Sequence, residues 1–533
     1  MDNIIYILIY LINFYNYLNI FQQAHYKYKR LKKYHKIFIK NNAFLIISIF
    51  FSYLEVNKIF NYISIFLLLI NLILLISKLF KQIVKLKITK RIIRLIFNQI
   101  ALSILLFLIF YKINNLYLYL LNILLPILLL INHLTLIPIE KYINNKYIKK
   151  AKKIILNNPN LITIMITGSF GKTTIKNILY EIIKKDYITV TTPRSYNTDL
   201  GICKVINESV NDSTEILILE AGAAELGDLK KICEIVKPDI CVISEIGNQH
   251  LETFKTLENI IKEKFSIVEY LKEEGFVILN NDNKYIKEKE LINIKTDHIK
   301  RISIKDVNII THLPKLSFSY NNNVFKTNLL GIHNVTNIIL ALEVINVLKH
   351  KNIIIKDSDI INRIENIKPI KNRLEYKKII NNNTIINIYD DSYNSNYNGF
   401  KNAIDVLKLS KNKKIIITPG LVELGIKSKE YNEEIGHLIG NVFDEIYLVK
   451  SEVTKHLEEG LKKANKEYYL CEKFIDAYNN IINKEEETID LLIENDVPDI
   501  YKEGWLIEIK YRYFIWRKEC WTWGVDTYCT TSF

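Results

Sequence analysis

The stretch TGSFGKTT, residues 167 to 174, combines residue types that hold a triphosphate. Gly168 and Gly171 let a backbone turn tightly and present its N–H groups. Ser169 adds a hydroxyl, and the helical pattern opened by Lys172, Thr173 and Thr174 offers an anion the positive end of its dipole. Lys172 would hold the β- and γ-phosphates, and the Thr173 hydroxyl would be a Mg²⁺ ligand. The general phosphate-loop spacing asks for a glycine where Ile166 stands, so this loop is a variant of that pattern.

Other groups able to join such chemistry close apolar runs. Glu220 ends EILILE, where a carboxylate can reach a metal beside the loop. The run from Ile240 to Ile246 leads to a glycine turn that presents His250 and Glu252, and Asp391 closes IINIYDD. Its neighbour Asp390 would point to the opposite face of a strand. Taken singly, a strand-end Glu is more often a solvated loop residue, and a lone His is more often structural. Lys264, in a helical run from Leu257 to Leu271, reads by itself as a surface lysine. Asn334 and Asn337 stand with His333 at the opening of an apolar helix, where Asn either pairs with an adenine edge or simply starts the helix. The elements that must position these groups alternate as strand and helix, with each polar motif at a strand's C-terminal end. Open parallel sheets build ligand sites in this way.

The order of TGSFGKTT, TTPRSYNTDLG, LEAGAAELGDL, IGNQHLETF, KEKFSIVE, NNDN, GIHNVTNIILAL, NRLE and DDSYNSNYNGFKNAIDVL resembles the Mur ligases, ATP-dependent amide-forming enzymes of peptidoglycan synthesis. Within that family it resembles the UDP-N-acetylmuramoyl-tripeptide D-alanyl-D-alanine ligases, over roughly residues 155 to 500. The resemblance implies catalytic roles for Lys172, His250, Lys264 and Arg373. It puts Thr173 and Glu220 on one Mg²⁺ and His250 on a second. Lys264, in preference to Lys262, aligns with a lysine that is carbamoylated into a carboxylate-like metal ligand. Asn334 and Asn337 would meet adenine, Arg373 would reach the nucleotide from the linker between two domains, Asp391 would meet ATP on closure, and Asn197 lies on the substrate side. The family's late lysine-glycine-serine-arginine stretch is not visible, and LLIENDVPD stands near its place.

Net charge is +15, but its placement argues against nucleic-acid binding. Residues 1–153 hold 22 lysines and arginines against 3 acids, whereas the remaining 380 residues carry 50 against 54. That first part contains apolar runs at about 3–21, 42–56, 59–77, 97–111 and 114–138. Basic residues crowd the first and third connections and are nearly absent from the second and fourth, so an outside N-terminus and an odd number of crossings deliver the rest of the chain to the cytoplasm. Ionisable side chains are almost absent from the runs, which reads as an anchor or docking surface, with Asn71, Asn122, Asn132 and His133 as helix-packing groups. Six cysteines without a CxxC pair fit a reducing cytoplasm.

The expected fold is therefore an α-helical transmembrane region followed by α/β. Residues 1–140 form the membrane region with about five transmembrane helices. The resemblance implies a central P-loop ATP-binding domain with a mostly parallel sheet over 141–365 and a C-terminal Rossmann-like domain over 366–500. Residues 501–533, which hold all four tryptophans, read as an anomalous tail. The function implied is ATP- and Mg²⁺-dependent joining of D-alanyl-D-alanine, or a similar amine, to a muramyl-peptide carboxylate through an acyl phosphate. The membrane region stands where the family has a UDP-binding domain, and other cell-wall enzymes are possible partners. Two alternatives stay open: a ligase for another carboxylate, as in folylpolyglutamate synthesis, and a non-catalytic nucleotide-binding scaffold.

Overall fold

The computed structural model describes residues 2–495 apart from 24–25, 27–37, 40, 54–57, 81–84, 111–115, 194–195, 250, 290–295, 297, 312–314, 370–371, 382–383, 393–396, 423, 425–426 and 485–487. His250 and the tail from 501 thus lie outside the described residues.

The N-terminal part is helical: α1 (Asp2–Gln23), α2 (Ala43–Tyr53), α3 (Lys58–Phe80), α4 (Lys90–Phe110), α5 (Leu116–Ile123) and α6 (Leu125–Asn157). Helices α1, α3, α4 and α6 are long and apolar enough to cross a membrane, while α2 has 11 residues. The helices make the chain a multi-pass membrane protein, and the basic run from Lys141 to Lys153 that follows the last apolar stretch puts the α/β part on the cytoplasmic side. The last apolar run is built by two helices, α5 and α6. Amide side chains tie the helices, as expected for groups with no water to turn to. Asn132 Nδ2 donates to Leu95 O and Gln99 Oε1, both at 2.9 Å, and Asn122 Nδ2 to Tyr6 O at 3.2 Å. Asn71 Nδ2 lies 3.4 Å from Asn42 Oδ1, and His133 meets Phe21 edge to face at 5.1 Å.

The α/β part holds two six-stranded sheets. The first has the order β2-β3-β1-β4-β5-β6, all parallel, from β1 (Ile162–Thr167), β2 (Thr189–Thr191), β3 (Ile216–Glu220), β4 (Ile240–Ile243), β5 (Phe276–Asn280) and β6 (Ile299–Ile302). Strand β1 is β-branched and buried on both faces, as a central parallel strand must be. Alternation sends its residues to two cores. Ile164 and Ile166 pack with α7 (Lys172–Ile183) and the buried helix Ile332–Lys349, whereas Met165 packs with α8 (Asp199–Ser209), α9 (Asp228–Cys233) and α10 (Leu257–Phe265). A three-stranded antiparallel sheet follows: β7 (Asn308–Thr311), β8 (Leu316–Tyr320) and β9 (Asn323–Thr327).

After α11 (Ile332–Lys349) and α12 (Asp357–Glu365), the second sheet has the order β10-β11-β15-β12-β13-β14 and is parallel except for the β10/β11 pair. Its strands are β10 (Glu375–Asn381), β11 (Thr384–Asp391), β12 (Lys413–Thr418), β13 (Glu445–Val449), β14 (Tyr469–Cys471) and β15 (Thr488–Glu494). Helices α13 (Tyr397–Lys408) and α14 (Ser428–Val442) pack on one face through Phe400, Ile404, Ile435 and Ile439. LLIE, near where the resemblance seeks a lysine-glycine-serine-arginine stretch, is the end of β15.

Candidate active site

Strand β1 lies between β3 and β4, so the strand order switches sides beside it, and ligand crevices of such sheets form at the C-terminal strand tips of that point. The loop leaving that tip has Gly168 at φ 147° and Gly171 at φ 81°. A Cβ on Gly168 would stand 2.1 Å from Ser244 Oγ, and one on Gly171 would stand 2.5 Å from Asn337 Oδ1. Both positions therefore require glycine on conformation and on space.

Lys172 Nζ folds back on this loop, donating to Gly168 O at 2.7 Å and Ser169 O at 3.0 Å. Desolvation lowers its pKa to about 8, Glu220 opposes that shift, and the charge of Arg373 adds to it. Arg373 also lowers the pKa of Lys176, so the linker arginine is in electrostatic reach of the phosphate loop. The Ser169 hydroxyl is engaged with the backbone of Gly247, accepting from its N–H and donating to its carbonyl, both at 3.1 Å. Its role in this state is to fix the loop. Thr174 is half-buried on the first turn of α7.

Glu220 gathers the polar groups at the tip of β3. Thr173 Oγ1 donates to its Oε2 at 2.8 Å and Asn197 Nδ2 to its Oε1 at 3.2 Å. Lys176 Nζ stands 3.5 Å from Oε2 while donating to Thr192 O at 2.7 Å. Burial lowers the Lys176 pKa and Glu220 opposes it. Sequence reading passed over Lys176, although it falls on the buried face of α7 with Ile175, Leu179 and Ile183. A lysine at an apolar helix position was the available signal.

Lys264 is 2% exposed at the end of α10, whereas Lys262 is exposed. Burial lowers the Lys264 pKa to about 7, assisted by Lys172 and opposed by Glu263, Asp228 and Glu220. Its neighbour Glu263 accepts from Gly227 N at 2.7 Å and Leu229 N at 2.8 Å, which ties α10 to the loop after Glu220. Thus Lys172, Thr173, Glu220, Asn197, Lys264 and Arg373 belong to one electrostatic neighbourhood. Asn337 stands beside Gly171, and Asn334 donates to Leu330 O at 2.7 Å and accepts from Asn337 Nδ2 at 3.3 Å.

The adjacent acids on β11 grip the linker from two sides. Asp390 Oδ2 accepts from Asn372 Nδ2 at 2.7 Å, and Asp391 Oδ1 accepts from Leu374 N at 3.0 Å. Arg373 lies between these anchors, flanked by two non-glycine residues at φ 60° and 49°. Desolvation pushes the Asp391 carboxyl up to about 6, opposed by the Leu374 N–H and by Arg373. In the folded chain it holds its proton above the ordinary carboxylate range, so its contribution to stability falls as pH rises through that window. Asp391→Asn should therefore raise the melting temperature at about pH 7.5 and lose this advantage below about pH 4. Melting curves across that range check the sign.

Fold and site together define a two-lobed α/β nucleotide-binding protein with a phosphate loop at the switch point of its first sheet. Residues 166–345 match the Mur ligase middle domain. The UDP-N-acetylmuramoyl-tripeptide–D-alanyl-D-alanine ligase of Borreliella burgdorferi is 30% identical over 348 residues, covering 62% of this chain and 72% of the relative. That of Buchnera aphidicola (subsp. Baizongia pistaciae) is 28% identical over 374 residues, covering 66% and 79%. Among solved structures, MurF from Acinetobacter baumannii superposes with a TM-score of 0.58 at 23% identity, covering 66% of this chain and 77% of that one. MurF ligase from Thermotoga maritima in complex with ADP gives 0.54 at 23%, covering 66% and 80%. The chain belongs to the Mur ligase family.

Proposed function

We propose that the protein is an ATP-dependent amide ligase that joins D-alanyl-D-alanine, or a similar amine, to a muramyl-peptide carboxylate at the cytoplasmic face of the membrane. The observation that carries this reading is the Thr173–Glu220 contact at 2.8 Å beside the Lys172 loop, which brings together the two oxygen donors that a nucleotide-bound Mg²⁺ needs. Hard oxygen ligands suit that ion. Phosphate oxygens and water would complete its shell. Bound there, Mg²⁺ supplies charge neutralisation of the transferring phosphoryl group.

The chain's own residues do the remainder. Lys172 would exchange the carbonyls of Gly168 and Ser169 for the β- and γ-phosphates. Asn197 and Lys176 hold the Glu220 carboxylate in place. The acceptor carboxylate attacks the γ-phosphorus, ADP leaves, and the acyl phosphate that results is attacked by the amine, which expels phosphate and loses a proton. Arg373, set between the Asp390 and Asp391 anchors, adds positive charge from the second lobe and helps to exclude water. Lys264, with its pKa near 7, presents a neutral amine that can add CO₂ and release a proton, becoming a carbamate near Glu220. His250 is assigned to the metal by resemblance alone.

We place the membrane helices where relatives hold a soluble UDP-binding domain. Among the described residues before Asn157 there is no strand with which to build one. Reconstituted full-length protein with Mg·ATP should release phosphate at least about tenfold faster when a muramyl peptide and D-alanyl-D-alanine are both present. UDP-linked and lipid-linked acceptors, offered separately, distinguish the two carriers. Absence of stimulation by any peptide–amine pair would remove the proposal.

A further inference from the structure

The loop that follows β4 is bonded on both sides. Toward the phosphate loop, Glu245 O accepts from Ser169 N, Glu245 pairs with Phe170 as a β-bridge, and Gly247 exchanges two hydrogen bonds with the Ser169 hydroxyl. Ser244 Oγ donates to Thr167 O at 3.1 Å and also to Phe170 O. Toward the second sheet's helices, Asn398 Nδ2 on α13 donates to Glu245 Oε1 at 3.0 Å, and Asn248 Nδ2 donates to the phenol oxygen of Tyr431 on α14. Tyr431 is held for this contact by stacking on Tyr397, with ring centroids 4.3 Å apart.

We infer that Asn398 and Tyr431 are positioning residues that transmit closure of the C-terminal domain to the phosphate loop through Glu245–Asn248. Neither side chain needs to touch nucleotide. When the C-terminal domain swings away, it must release both bonds or drag a segment already stitched to Ser169 and Phe170. When it returns, the same two bonds set that segment and hold the loop in the geometry in which Lys172 can meet phosphates. The coupling is a short chain of hydrogen bonds through one loop, with two discrete states, bonded and released. The kinetic consequence rests on the ligase reading above; the mechanical one does not.

The test uses the full chain in detergent with spin labels at Lys185→Cys and Lys408→Cys, exposed positions in the two lobes. Cys203, Cys233, Cys241 and Cys471 are buried, and Cys520→Ser with Cys529→Ser keeps labelling specific. Tyr431→Phe removes only the phenol oxygen and keeps the stack, and Asn398→Ala removes the amide. Interlabel distances are measured with Mg·ADP, and kcat and KM for ATP are measured in phosphate release. Each variant should shift the closed-to-open ratio toward open about fivefold, and the pair roughly 20-fold. Losses in kcat should match, with KM for ATP changed less than about twofold and the melting temperature of Tyr431→Phe unaltered. Unchanged distance distributions in both variants would overturn the inference, as would an opened distribution with wild-type kcat. If the unmodified protein turns over no ATP, the ligase reading fails while the distances still decide the latch.

Discussion

Lys172→Met should lower ATP-dependent turnover by about 10²- to 10³-fold, the scale lost when one preorganised donor to developing charge is removed. The ammonium is already aimed into the loop, 2.7 Å and 3.0 Å from two of its carbonyls. Its pKa near 8 leaves it mostly charged at neutral pH, and arriving phosphates would favour the charged form further. Lys172→Arg should not rescue the rate, because a planar guanidinium cannot take the place of a compact ammonium between those carbonyls and a phosphate. Methionine keeps the stem's packing on α7 and removes an ammonium whose pKa burial lowers, so stability should not fall. Single-turnover phosphate release and a melting curve on the same preparation separate the two effects.

Lys264→Met should also lower turnover, by about 10²-fold, yet make the protein more stable. A charged lysine cannot be buried cheaply, and the folded chain holds Lys264 near pKa 7 against an ordinary 10.5. Between those values the unfolded chain binds the proton that the folded chain lacks. The Lys264 contribution to stability therefore rises with pH across that window, by up to about 1.4 kcal/mol per unit. Methionine removes the burden, so the melting temperature should rise most at low pH. Lys262→Met, on the exposed side of α10, should change neither property. A Lys264→Met variant that is both more stable and less active would mark Lys264 as a residue kept for its chemistry.

The phosphate loop was legible because all of its determinants are local: two glycines, a lysine and a threonine between a strand run and a helix run. Glu220 was legible as the end of an apolar strand, and period-two alternation separated Asp390 from Asp391 before their partners were known. What escaped depends on long-range pairing. Nothing near Asn398 or Tyr431 in the chain announces Glu245 and Asn248, 153 and 183 residues away. Lys176 escaped for a different reason, since its helix periodicity was readable but a lysine was not sought on the buried face. The β8–β9 hairpin had a signal as well, two alternating runs around Asn321 and Asn322, whose φ of 46° and 60° are those of a tight two-residue turn. Among the membrane helices, apolar length marked the runs, and the one-residue break between α5 and α6 at Leu124 stands two residues before Pro126, which has no N–H to give the helix.

Activation of the acceptor carboxylate as an acyl phosphate in the loop of Lys172 leaves an isotopic signature. It is tested most directly by labelling both oxygens of the muramyl-peptide carboxylate with ¹⁸O and following them through one turnover. Transfer of one labelled oxygen into the released phosphate, with the other retained in the new amide, is the predicted result. Amide formation with both labels absent from phosphate, or phosphate release that draws its oxygen from solvent water, would contradict it.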